Sequence, residues 1–177
     1  MSALYRVRQF ANAAAAIVRP NRLDEEMAAS YLSPAALELF RTMPRYDRRH
    51  ALAVAQSLVQ EGYNNPHLIA AALLHDAGKT YSRQGRVTLW HRVMVVLGRA
   101  FAPALLEWLG RAPASGARIP RWRQPFHTQQ HHAALGAAIA LQAGCSPDTA
   151  DLIRRHESCA EGDDPLLFAL QAADSAN

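Results

Sequence analysis

From Leu68 to Leu74 the chain reads Leu-Ile-Ala-Ala-Ala-Leu-Leu, seven apolar residues without a polar break, and then turns into His75-Asp76-Ala77-Gly78-Lys79. A helix with no polar stripe belongs inside a protein. The imidazole and carboxylate at its end therefore sit at the edge of a core, where polar groups left unpaired are costly. A metal ion satisfies both, since a neutral imidazole nitrogen and a carboxylate oxygen are ordinary ligands. His50, His132, His156 and Asp174 fall in four other helical patterns, each on the apolar side. Together these residues predict a metal centre assembled from five helices.

The helical patterns themselves are well punctuated. Ser33-Pro34, Asn65-Pro66, Ser146-Pro147 and Asp164-Pro165 each set a capping side chain before a proline at the first helical position. Gly62, Gly78 and Gly144 stand where helices are expected to stop. Apolar residues between these marks recur at three and four, with no sustained alternation of the strand type. The spacing predicts helices at about 3–18, 22–31, 34–42, 46–61, 66–77, 87–99, 103–110, 127–143, 147–158 and 165–175. The expected fold is all-α, a single-domain bundle of about 8–10 helices over residues 1–177, with a core at about 48–176 and the helices of 3–42 packed on it.

Composition narrows the setting. Half of the 177 residues are hydrophobic, yet no stretch reaches the ~18 apolar residues of a membrane span. The longest candidate, Val87 to Leu109, is broken by His91, Arg92, Arg99, Pro103 and Glu107. Residues 1–20 are tested against a signal peptide, but Asn12 interrupts a weakly apolar Ala11–Val18, which favours an amphipathic helix. Two cysteines, Cys145 and Cys159, make no disulfide framework and place the chain in the cytoplasm. A net charge of +4 indicates neither a nucleic-acid nor a membrane partner, even with Arg6 and Arg8 in the first helix.

Residues four apart share a helix face, and that geometry tests the candidate ligands. His50 lies with Val54 and Leu58, His132 with Leu135, Gly136 and Ile139, and His156 follows Leu152 and Ile153. Asp174 follows Leu167 and Leu170, and His75 follows Ala71 and Ala72. Any one such histidine is ordinarily a hydrogen-bonded core residue. Five positions coinciding, with Asp76 beside one of them, read jointly as a metal site.

The order His50, His75-Asp76, His132, His156, Asp174 in a helical chain resembles the HD-domain superfamily of metal-dependent phosphohydrolases, and "AALLHDAGK" strengthens the resemblance. The additional histidines, in "HHAALGAAIA" and "LIRRHES", look like those of its binuclear branch. The resemblance implies His50, His75 and Asp174 on one ion, His132 and His156 on a second, and Asp76 bridging. His132 fits better than His131, because it precedes Gly136 by four residues. No Gly-Tyr-Pro follows "RRHES", which disfavours cyclic-di-GMP cleavage. Four histidines and two carboxylates suit two divalent transition ions, Fe or Mn first, with Zn, Co and Ni able to take the same donors.

The implied activity is hydrolysis of a phosphomonoester or phosphodiester, in a small phosphorylated or nucleotide substrate, with Asp76 and Lys79 as the catalytic residues. Lys79 is the only lysine in a chain otherwise supplied with arginine. An ammonium differs from a guanidinium fork, and at that position the resemblance places it near the substrate phosphate; the plainer alternative is a solvated helix-end lysine. Arg121 and Arg123, in the segment Arg111–Pro125, are candidate substrate contacts against the background of an arginine-rich loop. His67, His91, His127 and His131 are assigned to surface or cap roles, and Trp90, Trp108 and Trp122 to packing. The same ligands also serve a second chemistry in the superfamily, mixed-valent di-iron oxygenation of a small anionic substrate. A non-catalytic regulator is the third reading, and the complete ligand set speaks against it.

Overall fold

The computed structural model describes residues 22–80, 89–112, 118–158 and 164–177. The expected helix 3–18 and Cys159 lie outside them. The described residues form helices α1 (Arg22–Tyr31), α2 (Pro34–Thr42), α3 (Arg45–Gln60), α4 (Pro66–Leu74), α5 (Leu89–Phe101), α6 (Pro103–Gly110), α7 (Gln124–Gln142), α8 (Pro147–Arg155) and α9 (Pro165–Ala176), with a 3-10 turn at Ala77–Thr80. The fold is all-α, and among the described residues no helix is long and apolar enough to cross a membrane.

Each cap-and-proline pair starts a helix, and the side chain does the capping. Ser33 Oγ accepts from the Ala36 N–H at 3.3 Å, and Asn65 Oδ1 from the His67 and Leu68 N–H groups at 2.9 and 3.2 Å. Ser146 Oγ accepts from the Thr149 N–H and Asp164 Oδ1 from that of Leu167, both at 3.1 Å. Such caps contribute about 1 kcal/mol each. Gly62 and Gly144 close α3 and α7 with φ of 90° and 81°, a conformation that favours glycine.

Helix α4 is the axis of the molecule. Every residue from Leu68 to Leu74 is buried, with α3 on one side, α8 on another, and α1 and α9 completing the sheath. Full burial of Leu68, Ile69, Leu73 and Leu74 stabilises the fold by roughly 1.5–3 kcal/mol per side chain.

Two expected helices end early, and the cause is the same. The helix expected over 66–77 stops at Leu74 and that over 147–158 at Arg155, which leaves His75 and His156 as C-caps. Each imidazole Nδ1–H donates to a carbonyl three residues back, His75 to Ala72 at 2.8 Å and His156 to Ile153 at 2.7 Å. Those carbonyls are among the acceptors a helix end leaves without partners. The histidines therefore finish their own helices.

Gly78 is not the helix stop expected from the sequence; its φ is not positive. Its service is proximity. A Cβ there would lie 2.0 Å from the carbonyl oxygen of His132 and 2.6 Å from the amide nitrogen of Gly136. Only glycine lets the 3-10 turn lie against the α7 main chain, and that contact carries the HD turn to the helix bearing His132.

Candidate metal centre

Five elements deliver six side chains to one place. His50 comes from α3, His75 and Asp76 from the turn after α4, His132 from α7, His156 from the end of α8 and Asp174 from α9. Donor atoms of His50, His75 and Asp76 lie within 4.8 Å of one another, and so do those of Asp76, His132 and His156. Asp76 belongs to both groups. Asp174 Oδ1 joins the first, 2.8 Å from His50 Nε2 and 3.4 Å from His75 Nε2. Asp76 Oδ1 stands 3.6 Å from His75 Nε2 and 3.5 Å from His132 Nε2. The rings of His75 and His132 lie 5.1 and 5.2 Å from that of His156, edge to face.

The burial is graded rather than uniform. Asp76, His75, His132 and His156 are buried, whereas the side chains of His50 and Asp174 are 19% and 32% exposed. The sequence pattern places all of them on core-facing stripes. α3 and α9 instead put their two ligand candidates at the rim, so the cluster has a closed end and an open one.

Three features fit a metal ion. First, a carbonyl can only accept, so the bonds from His75, His132 (to Gln129 O, 2.8 Å) and His156 fix the proton on Nδ1 and turn Nε2 inward. Second, His132 Nε2 is buried without a hydrogen-bond partner, a state that native interiors seldom tolerate. Third, the protonation states of His132 and His156 suit ligation. Burial, reinforced by the Lys79 ammonium, pushes His132 down to about 3, and burial with the charge on His75 pushes His156 down to about 4. Both imidazoles are therefore neutral around pH 7. Burial also works against charge on His75, but Asp76 and Asp174 outweigh it and raise that imidazole to about 9. Asp76 and Asp174 are themselves held well below the ordinary carboxylate value despite burial, Asp76 by Lys79 and the histidines, Asp174 by His50 and His75.

Lys79 Nζ lies 2.6 Å from each oxygen of Asp76, with only 14% of its side chain exposed. Its charge is committed to that carboxylate rather than to solvent. Arg123 has a mainly structural engagement. Its guanidinium donates to the carbonyls of Trp108, Leu109 and Arg111 and stacks 4.5 Å above the Trp108 ring, which ties down the end of α6. Arg121 is exposed in the turn before α7, and among the described residues no contact joins either arginine to the cluster. Trp108 and Trp122 are also largely exposed, so neither is a core residue.

The remaining histidines separate cleanly. His131 is exposed beside His127, whose Nδ1 donates to Gly110 O at 2.7 Å, so the α7 ligand position belongs to His132. His67 Nδ1 meets Ser146 Oγ at 2.8 Å, joining the first turn of α4 to the N-cap of α8. Two further participants were not among the residues expected from the sequence. Glu157 Oε2 approaches His132 Nδ1 to 3.8 Å, and Gln129 supplies the carbonyl that orients the same ring. Glu157 follows His156 directly and was open to suspicion as its neighbour; a main-chain carbonyl has no sequence signature. Comparison with family models, with characterised proteins and with solved structures finds no match to this chain.

Proposed function

We propose that this chain is a metal-dependent phosphohydrolase of the HD-domain type, acting on a phosphomonoester or phosphodiester of a nucleotide. The observation that supports it is the pair of donor groups sharing Asp76, with a buried imidazole nitrogen left without a partner. His50, His75 and Asp174 would hold one divalent ion and His132 and His156 another, with Asp76 common to both; Mn or Fe is favoured by the nitrogen-rich donor set. Bound there, such ions supply an acidified water and a charge that polarises phosphoryl oxygens.

The chain's own residues do the rest. The carbonyls of Ala72, Gln129 and Ile153 keep three imidazoles in the ligating tautomer. The open end at His50 and Asp174 admits an anionic substrate, while the closed end excludes water from His132. Lys79, 2.6 Å from each oxygen of Asp76, would set its ammonium beside the ions and offset charge that grows in the transition state.

The test is elemental analysis of the purified chain together with a phosphate-ester screen run aerobically and anaerobically. Stoichiometric transition metal and oxygen-independent phosphate release are expected. Lys79→Ala should lower kcat/KM by ~10²–10³ without lowering metal content, and Lys79→Arg should recover part of it. Activity that requires oxygen and releases no phosphate from esters would replace this reading with the di-iron oxygenase.

A further inference from the structure

Nine large apolar side chains are well exposed among the described residues, and six of them fall between Leu89 and Arg123. Met94, Leu97 and Phe101 recur at three and four along α5 and so share a face; Phe101, its last residue, is 83% exposed. Leu105 and Trp108, three apart on α6, are each about half exposed, and the Trp122 ring lies 6.3 Å from that of Trp108. Other residues hold the two helices to the fold. Val95 is buried, and Leu106 lines a common groove with it and with Phe126 of α7. Exposed apolar surface gathered in this way marks an interaction site.

The same stretch concentrates the charge. Residues 89–123 hold six arginines and a single acid, Glu107, a net +5 within a chain whose total is +4. The remainder of the chain is therefore slightly acidic, and the whole-chain figure conceals a basic region. Arg111, Arg118 and Arg121 are exposed. Arg111 answers Glu107 at 2.6 Å, and the Arg123 guanidinium lies 4.5 Å over the Trp108 ring. Positive charge and exposed aromatic surface thus share one corner of the molecule.

The residues choose the partner. A second copy would meet this face across a two-fold axis, patch against identical patch, and set +5 against +5. Nucleic acid would take the arginines and stack on an indole, but has no use for Met94, Leu97 and Leu105. The surface of an anionic bilayer uses everything present. Apolar side chains enter the headgroup boundary, tryptophans sit at headgroup level, and arginines stay with the lipid phosphates. The 13 residues of α5 give it a length of about 20 Å, short of the ~30 Å hydrocarbon core, so it would lie in the interface and not cross it. We propose that the α5–α6 corner, through Leu97, Phe101, Leu105, Trp108 and Trp122 with the arginines around them, docks this chain on a bilayer that contains anionic phospholipid. The docking needs neither metal nor catalysis, and so stands apart from the phosphohydrolase reading.

The experiment is flotation of the full chain with vesicles of phosphatidylcholine alone, and with vesicles in which a third of that lipid is replaced by phosphatidylglycerol. The chain should rise with the second and stay behind with the first. Phe101→Glu should weaken binding about tenfold or more, the loss of one phenyl ring from an apolar setting, with circular dichroism unchanged. Leu105→Glu takes its place should that variant not fold. Arg118→Gln and Arg121→Gln should each cost about fivefold, one charge near an anionic surface. Failure to float with the anionic vesicles, equal flotation with both, or undiminished binding by the folded Phe101→Glu or Leu105→Glu chain overturns the proposal. A dimer in sedimentation velocity that Phe101→Glu dissociates would give the face to a second copy and overturn it as well.

Discussion

Replacing Lys79 by methionine keeps the length of the stem and removes the charge. The ammonium lies 2.6 Å from both oxygens of Asp76, and the two side chains are 14% and 4% exposed. This is a buried pair, and removing one partner of a buried pair costs about 3–5 kcal/mol because the other charge is left uncompensated. His75, raised to about 9 and so cationic near pH 7, lies on the other side of Asp76 and takes up part of that deficit. The low end, about 3 kcal/mol, is therefore expected in EDTA. A domain of this size shifts by about 2–4 °C per kcal/mol, so the Tm should fall by roughly 6–12 °C. With saturating Mn²⁺ the carboxylate has a new cation, and the same substitution should cost no more than about 1 kcal/mol, as for an exposed pair. Urea unfolding of both chains in EDTA and in Mn²⁺ measures the difference. Equal losses in the two conditions would refute the reasoning, as would a loss in EDTA within the ~0.5 kcal/mol of an ordinary surface change.

The other predictions concern different parts of the fold. Asp76→Ala should abolish metal content, because it removes the one donor common to both groups, whereas His132→Ala should lower content and leave the helical circular dichroism intact; elemental analysis decides. Gly78→Ala should destabilise by about 3 kcal/mol, the upper part of the overpacking range, since its Cβ would meet main chain at 2.0 Å with no flexible side chain to yield; denaturant unfolding measures it. Arg155 and the Leu167 amide hold the Asp164 carboxyl below its ordinary 3.8. The stability that this shift contributes is full above pH 3.8 and is lost as the pH falls through the folded value. Asp164→Asn keeps a capping oxygen but not the ion pair, so the gap between wild type and this variant should be constant above about pH 5 and close below pH 3.8, followed by urea midpoints.

Much of the frame was legible because its chemistry is local. A serine, asparagine or aspartate before proline caps the next few amides whatever surrounds it, and Ser33, Asn65, Ser146 and Asp164 all do so. The unbroken run Leu68–Leu74 announced a helix covered on all sides. What depended on a distant partner was not legible. Gly78 reads as a stop until α7 is seen lying against it, and Arg123 as a loop cation until the end of α6 is seen beneath it. The rim positions of His50 and Asp174 follow from where α3 and α9 cross, which helix periodicity does not contain. The pairing of Lys79 with Asp76 was available in the spacing of three, though the resemblance directed Lys79 towards a phosphate instead.

The contact between Gly78 and Gly136 has a consequence for how substitutions in this chain will be interpreted. The peptide planes touch there: a Cβ on Gly136 would stand 3.3 Å from the Gly78 nitrogen and 3.5 Å from the His75 oxygen. The gap between the two halves of the His/Asp cluster is thus a backbone dimension, indifferent to which rotamers the histidines adopt. A methyl group at position 78 would act as a wedge, parting Asp76 from His132 while leaving every donor atom present and chemically sound. Loss of activity at these two glycines would report a change of spacing and carry no information about a reacting group.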